Sequence, residues 1–255
     1  MQGCIDPTHS RQANLKGIGS AWTETQPQKE SKMVHEHFSR QHSLTGQTAA
    51  WAVFVLLIAY AATLVLGLLS LTSPEDPIGD PYFSLMEMLI IAMAPVMVIV
   101  MVAVHAYAAP GARAYSRTAL AWMVIMAGIT SSVHFVILTV SRPIAAAGFP
   151  WASLLFSFQW PSVVYALDIL AWDVFFALSM LFAAPVFRAG RLEKTLRALM
   201  IVGGALSLAG LIGVPLADMN LRNIGILGYV GISLVIFPLL GVLFGRTRQP
   251  PEKAG

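Results

Sequence analysis

The sequence predicts an all-α, polytopic integral membrane protein, a six-transmembrane-helix bundle with a disordered N-terminal tail. Of its 255 residues, 56% are hydrophobic and only 11% are charged, whereas a soluble domain carries about 25% charged residues. The mean hydropathy of +0.70 agrees with this imbalance. A water-soluble fold of this composition would have too few polar groups for its surface, so the lipid bilayer is the expected solvent and partner.

Six apolar stretches are long enough to cross the hydrocarbon core, which takes about 20 residues of α-helix. Each is expected to be a helix, because backbone groups in lipid must be satisfied within the segment. The predicted spans are 48–71, 83–107, 117–140, 161–187, 196–216 and 223–244. Residues 1–47 are polar and aperiodic, which predicts a disordered tail, and residues 245–255 are predicted to form a C-terminal tail. The sequence before the first span shows no signal peptide, so that span is expected to direct insertion, and Met33 is an alternative start to Met1.

The distribution of basic residues predicts the orientation. Fourteen of the 16 Lys and Arg residues fall in the two tails and the second and fourth loops, and the remaining two are Arg142 and Arg222. Short cytoplasmic loops carry the excess of Lys and Arg. The chain is therefore expected in the cell (cytoplasmic) membrane with both termini cytoplasmic. These basic residues are interpreted as a topology signal beside anionic lipid rather than as a nucleic-acid surface.

Several chemistries find no support in the sequence. Cys4 is the single cysteine, so an intramolecular disulfide, a cysteine zinc site and a CxxC redox pair are all excluded. The HExxH, GxSxG and Walker phosphate-loop motifs do not occur. The sequence therefore names no cofactor, and it favours a protein other than an enzyme.

Ionisable residues inside the predicted spans are the main pointer to function, since an acidic side chain at the bilayer centre costs roughly 2.5–3.5 kcal/mol on insertion scales. Glu87, His134 and Asp168 are predicted to lie at similar depths in the outer half of the bundle. Tyr165 shares a helical face with Asp168, whereas Asp173 follows Asp168 by five residues and should point about 140° away. These five residues are the predicted ligand-binding or proton-relay candidates.

The candidate cluster admits more than one role. Glu87, His134 and Asp168 offer the donor set of a divalent metal site, an imidazole that titrates near neutral pH, or acceptors for a cationic or hydrogen-bonding ligand. They could equally bond one another and fix the helix packing. The leading hypothesis is a multipass protein that binds a small ligand or ion. The alternatives are an ion- or proton-coupled transporter, an intramembrane metal-dependent or acid/base enzyme, and a non-catalytic assembly or sensor protein.

Two further patterns bear on architecture. The spacing Gly203-x-x-x-Ser207 and Gly241-x-x-x-Gly245 in the last two spans favours close helix packing within the bundle, with homo-oligomer contacts as the alternative. The third loop, 143–160, is too apolar for an open loop, and this predicts a short interfacial or re-entrant segment.

Overall fold

The computed structural model of the chain describes residues 38–73 and 76–247. Within these ranges six helices are long and apolar enough to cross a membrane, and no strand occurs among them. The helices are α1 Arg40–Leu69, α2 Tyr82–Tyr107, α3 Pro110–Ala146, α4 Val163–Val186, α5 Gly190–Gly213 and α6 Met219–Arg246. The all-α, six-helix prediction is therefore confirmed. Residues 1–37 and 248–255, which include most of the predicted tails, lie outside the described ranges.

The helices form a closed ring. Each packs mainly against its neighbours in the chain, and α6 completes the ring by packing against α1. The loops that follow α1, α3 and α5 lie at one end of the bundle, called the odd-loop end below. The opposite end, called the tail end, holds the start of α1 and the end of α6, where the Ser43 hydroxyl donates a 2.7 Å hydrogen bond to the Phe244 carbonyl.

The first helix starts eight residues before the predicted span, so assigning residues 40–47 to a disordered tail is wrong. Ser39 caps the helix by accepting a hydrogen bond from the His42 backbone N–H, as N-cap residues do. Gly46 packs against α2 and α6, and Gln47 lies against Gly245. These polar residues are ordered by tertiary contacts that their composition does not reveal.

The third helix extends beyond both ends of its predicted span, 117–140, and continues into residues 143–146 of the predicted third loop. A proline inside a helix lacks an N–H and its ring collides with the carbonyl four residues earlier. Here a π-helical segment, Ile137–Ser141, immediately precedes Arg142–Ala146. The wider turns of a π-helix let the chain pass Pro143 without ending the helix.

Two other helices also contain π-helical segments, Leu170–Phe176 in α4 and Leu227–Gly231 in α6. Such segments occur mostly as short interruptions of α-helices and often at functional sites. Together with the segment in α3, they place irregular backbone in three of the helices that surround the interior of the ring.

The last two helices approach closely because glycines face each other. A Cβ atom on Gly228 would lie 2.5 Å from the Gly203 carbonyl oxygen, and one on Gly225 would overlap Asp173 Oδ1. On the other side of α6, Gly241 packs against the ring of Trp51 in α1. The small-residue pattern thus serves contacts within one chain, as the packing interpretation predicts.

Aromatic rings close the tail end. Phe38, Phe187 and Phe244 are each at most 2% exposed, and Tyr107 is 5% exposed. The Phe38 ring lies 5.4 Å from that of Tyr107 and 5.7 Å from that of Phe244. The Tyr107 hydroxyl donates a 2.7 Å hydrogen bond to Glu193, whose carboxylate also accepts from two backbone N–H groups that precede α5.

The third loop forms a four-residue helix, Ala152–Leu155, at the odd-loop end. Several of its apolar side chains are exposed, among them Phe149, Trp151 and Leu154 at 48%, 41% and 56%. An apolar, exposed segment of this kind has the character of an interfacial segment. Its placement relative to a bilayer stays a prediction.

The contact between α5 and α6 makes a testable prediction. We expect Gly228→Ala to destabilise the fold by about 1–3 kcal/mol, the usual cost of overpacking, because its Cβ would meet backbone atoms of Gly203 and Ser207 within 2.5–2.6 Å. SDS-induced unfolding of the purified protein, followed by tryptophan fluorescence, measures this change.

Gly231→Ala is the matched control in the same helix, since no atom lies within 4 Å of its Cβ position. It should leave the unfolding midpoint unchanged or raise it slightly, because Ala in a helix is favoured over Gly by roughly 0.5–1 kcal/mol. Equal midpoints for the two variants would contradict the packing argument.

Candidate ligand-binding cavity

A cavity of about 760 Å³ lies inside the ring of helices. Residues of α1, α2, α3, α4 and α6 line it, whereas α5 packs behind α4 and α6. It begins under the odd loops at Ile78 and Gln159 and ends past the middle of the helices at Met97 and Phe237. Most of the lining is apolar, and the polar groups are concentrated in the half nearer the odd loops.

The polar part of the cavity contains a chain of two carboxylates and one imidazole. His134 Nδ1 lies 2.7 Å from Glu87 Oε2, a short hydrogen-bond distance. The other ring nitrogen, Nε2, lies 3.4 Å from Asp168 Oδ1. The side chains of Glu87 and His134 are each 4% exposed, and that of Asp168 is 13% exposed. The structure thus brings together three residues from three helices, as the depth argument predicts.

A second buried charge pair lies beside this chain. Arg222 Nη2 donates a 3.2 Å hydrogen bond to Asp173 Oδ2, and the two side chains are 4% and 0% exposed. The guanidinium carbon of Arg222 lies 5.3 Å from the ring centroid of Tyr165 and 5.6 Å from that of Tyr229. Both distances are within the range of cation–π interactions, which help to stabilise a desolvated cation.

The sequence prediction was incomplete for this second pair. In an ideal α-helix, Asp173 would point about 140° away from Asp168 around the helix axis. Asp173 instead lies in the π-helical segment Leu170–Phe176. Because a π-helix has more residues per turn, two residues five positions apart point in more similar directions. The prediction placed Arg222 in the last loop, whereas the structure places it inside α6 and 3% exposed. The pairing could have been predicted from the sequence, since Asp173 in the fourth span had no basic partner and Arg222 borders the sixth span.

Several buried polar atoms around the cavity have no hydrogen-bond partner among the described residues. Six such atoms occur in that part of the chain, and four of them belong to cavity-lining residues: His134 Nε2, Asp168 Oδ1, Arg222 Nε and Ser233 Oγ. An unsatisfied buried polar atom costs about 1–3 kcal/mol. A network that served packing alone would be expected to satisfy its own members.

An exposed ion pair joins the first loop to the last turns of α3 above the cavity. Arg142 Nη2 lies 2.7 Å from Asp80 Oδ1 and donates to the Ser84 hydroxyl at 2.6 Å. The pKa of the Asp80 carboxyl is lowered from its ordinary value of 3.8, chiefly by the hydrogen bond from the Ser84 side chain and also by Arg142. Because this carboxyl keeps its charge down to acidic pH, the Arg142–Asp80 pair persists at neutral pH and is lost only below pH 3.8.

The metal-site prediction for Glu87, His134 and Asp168 gains no support from the geometry. Between residues 38 and 73 and between 76 and 247, no group of three or more His, Cys, Asp or Glu side chains is arranged to hold a metal ion. His134 Nδ1 is engaged by Glu87 at 2.7 Å, which leaves Nε2 and Asp168 as two neighbouring donors without a third in the described part of the chain. Methionine thioethers are possible ligands of soft metals. Met93, Met97 and Met101, which follow one another at helical spacing, are instead packed in the hydrophobic core.

The fold and composition define a multipass membrane protein. Comparisons with protein-family models, with curated proteins and with solved structures give no match. The particular role of this chain must therefore be inferred from its cavity.

The buried pair makes a prediction about stability. We expect Arg222→Met to destabilise the fold by about 3–5 kcal/mol, because it leaves the Asp173 carboxylate buried without its counter-charge. The double variant Arg222→Met with Asp173→Asn should recover most of this loss. SDS-induced unfolding of the single and double variants measures both values.

Arg142→Met provides the control, since it removes an arginine from a pair whose side chains are 44% and 49% exposed. Exposed pairs contribute about 0–1 kcal/mol, so this variant should unfold near the native midpoint. If the double variant were as unstable as Arg222→Met alone, the two residues would not be acting as a charge pair.

Proposed function

We propose that this membrane protein binds a small amphipathic cation. Its ammonium or comparable donor group would lie at the chain of Glu87, His134 and Asp168, and its apolar body would fill the deeper part of the cavity. The observation that carries the proposal is an excess of acidic groups at one end of an otherwise apolar cavity.

The charge inventory favours a cation over an anion. Glu87, Asp168 and Asp173 contribute three carboxylates within or beside the cavity, against one guanidinium from Arg222. The imidazole of His134 supplies at most one further positive charge. A bound anion would be repelled by this excess of negative charge, whereas a cation is attracted by it. Asp168 Oδ1, a buried acceptor without a hydrogen-bond donor among the described residues, is the expected contact atom.

The size and lining of the cavity favour a ligand with an apolar body. Small-molecule sites are typically about 300–1,000 Å³, mostly apolar, with few polar groups that fix orientation. The volume of about 760 Å³ falls within this range. Its deeper walls come from residues such as Met93, Met97 and Phe237, which offer no hydrogen bonds to a hydrophilic solute.

The rival functions fit the geometry less well. An assembly or sensor protein would satisfy its own polar groups and leave no cavity. A transporter would have to open the deep end of the cavity at Met97 and Phe237 and separate the aromatic cluster that closes the tail end. An acid/base enzyme is favoured by the short Glu87–His134 hydrogen bond, but the remaining nitrogen of His134 faces a second carboxylate, that of Asp168, rather than a nucleophile.

The proposal includes an orientation, with both termini cytoplasmic and the odd-loop end outside. Its support is the excess of Lys and Arg in the tails and even loops. With Cys4 replaced by Ser, we expect Gly79→Cys in the first loop to react with a membrane-impermeant maleimide in intact spheroplasts. Gly111→Cys, in the first turn of α3 at the tail end, should react only after lysis. Both positions are open, with no atom within 4 Å of the Cβ, and the reverse pattern would invert the proposed orientation.

Binding of three octyl probes tests the proposed ligand class. Octylamine carries a positive charge at pH 7, since alkylammonium groups titrate near the lysine value of about 10.4; octanol is neutral and octanoate is negative. Titration calorimetry on the protein in nanodiscs, corrected for empty nanodiscs, should give the highest affinity for octylamine and the lowest for octanoate. We expect Asp168→Asn to weaken octylamine binding tenfold or more, because hydrogen bonds to charged groups contribute about 1.5–3 kcal/mol.

Asp80→Asn is the matched control. It makes the same chemical change at a carboxylate that is 49% exposed and does not line the cavity, so octylamine binding should stay at the native level. Equal affinities for the three probes, or equal losses in the two Asn variants, would contradict the proposal.

A further inference from the structure

His134 is placed between two acceptors. Its Nδ1 lies 2.7 Å from Glu87 Oε2 and its Nε2 lies 3.4 Å from Asp168 Oδ1. A neutral imidazole carries a proton on one nitrogen only, whereas an imidazolium carries one on each. A ring whose two nitrogens both face carboxylate oxygens fits the doubly protonated form, which then serves as the counter-charge of the two carboxylates.

The two contacts of the imidazole are unequal. The Glu87 contact has the length of a strong, charge-assisted hydrogen bond. The Asp168 contact, at 3.4 Å, is longer than the usual 2.7–3.2 Å for an N–H···O bond. Neither His134 Nε2 nor Asp168 Oδ1 has a hydrogen-bond partner among the described residues. Asp168 is also the most exposed of the three side chains, at 13%. The series of contacts from Glu87 through His134 to Asp168 is therefore weakest at Asp168, which is the residue that a ligand would approach.

We infer that a bound cation replaces a proton at this point. The inference rests on the proposed function and adds the identity of the exchanged ion. The ligand's ammonium group takes Asp168 as its acceptor, and its positive charge then lies beside the imidazolium. The Nε2–H bond of His134 breaks, its proton passes to water at the odd-loop end, and the lone pair stays on Nε2. One positive charge enters and one leaves, so the net charge of the cavity is conserved.

The other ionisable groups around the cavity do not supply this proton as readily. Arg222 is effectively always charged and is held by Asp173. Apart from the chain of three, the titratable or charged side chains that line the cavity are Tyr60 of α1, Tyr165 of α4, and Arg222 and Tyr229 of α6, with Asp173 behind Arg222. Tyrosine and arginine titrate far above neutral pH and carboxylates far below it in water, whereas histidine titrates near pH 6.5.

The exchange is measured by titrating the nanodisc-embedded protein with octylamine in two buffers that differ in ionisation enthalpy. We expect close to one proton released per octylammonium bound at pH 6. The affinity should rise with pH, by up to about tenfold per pH unit while His134 is protonated in the free protein, because proton and ligand compete. Since octylamine stays charged from pH 6 to 8, its own titration does not contribute.

His134→Gln tests the source of the proton. We expect this variant to keep binding octylamine through Asp168 but to release almost no proton between pH 6 and 8, with a flat affinity profile. His105→Gln is the control, since His105 lies near the tail end, hydrogen-bonded to Ser116, and this change should leave the proton release at the native value. The native measurements stand by themselves if His134→Gln does not fold.

The outcomes separate this inference from the proposed function. Octylamine binding without proton release, or with an affinity independent of pH, would overturn the exchange and leave the binding proposal intact. Proton release that persists in His134→Gln would assign the proton to another group and would also overturn it. No octylamine binding above empty nanodiscs would defeat the proposed function itself.

Discussion

The charged cavity depends on the close approach of α5 and α6. Asp173 Oδ1 lies where a Cβ on Gly225 would be, and it would also lie 2.8 Å from a Cβ on Gly210. Only glycine at these two positions leaves room for the carboxylate between the helices. Asp173 in turn holds Arg222 in place, and the guanidinium of Arg222 lies over the rings of two cavity tyrosines. The small residues that allow tight packing therefore also determine where the buried charges lie.

Stability alone does not explain why so many charges are buried here. Desolvation costs several kcal/mol for each buried ion, and replacing a buried ion pair by well-packed apolar residues is often neutral or stabilising. The pair of Arg222 and Asp173 is compensated, but Glu87 and Asp168 share a single imidazole between them. The resulting negative excess borders a largely apolar cavity of about 760 Å³. A ligand with a positive group for Asp168 and an apolar body would match both features.

The sequence predicted the fold better than the site, for physical reasons. Spans are determined by length and apolarity, which are local properties, so all six were identified. Their ends were less accurate, because the first turns of α1 are ordered by contacts with α6 and the π-helical segment in α3 accommodates Pro143. The meeting of Glu87, His134 and Asp168 followed from depth and helical phase. The pairing of Asp173 with Arg222 did not, because a π-helical segment changes the phase that an ideal helix predicts.

The two ends of the bundle differ in what opening them would cost. At the odd-loop end, an exposed pair joins Asp80 of the first loop to Arg142 of α3, and such a pair contributes about 0–1 kcal/mol. At the tail end, opening to water would expose three fully buried phenylalanine rings, each worth about 1.5–3 kcal/mol of burial, and would separate Tyr107 from Glu193. Shifting a two-state equilibrium from 1:99 to 99:1 takes about 5.5 kcal/mol of differential binding. Opening the odd-loop end would break this exposed pair and displace Phe158, whose ring centroid lies 5.2 Å from that of His134. Opening the tail end would disrupt more buried aromatic surface and would consume more of the binding free energy of a small ligand.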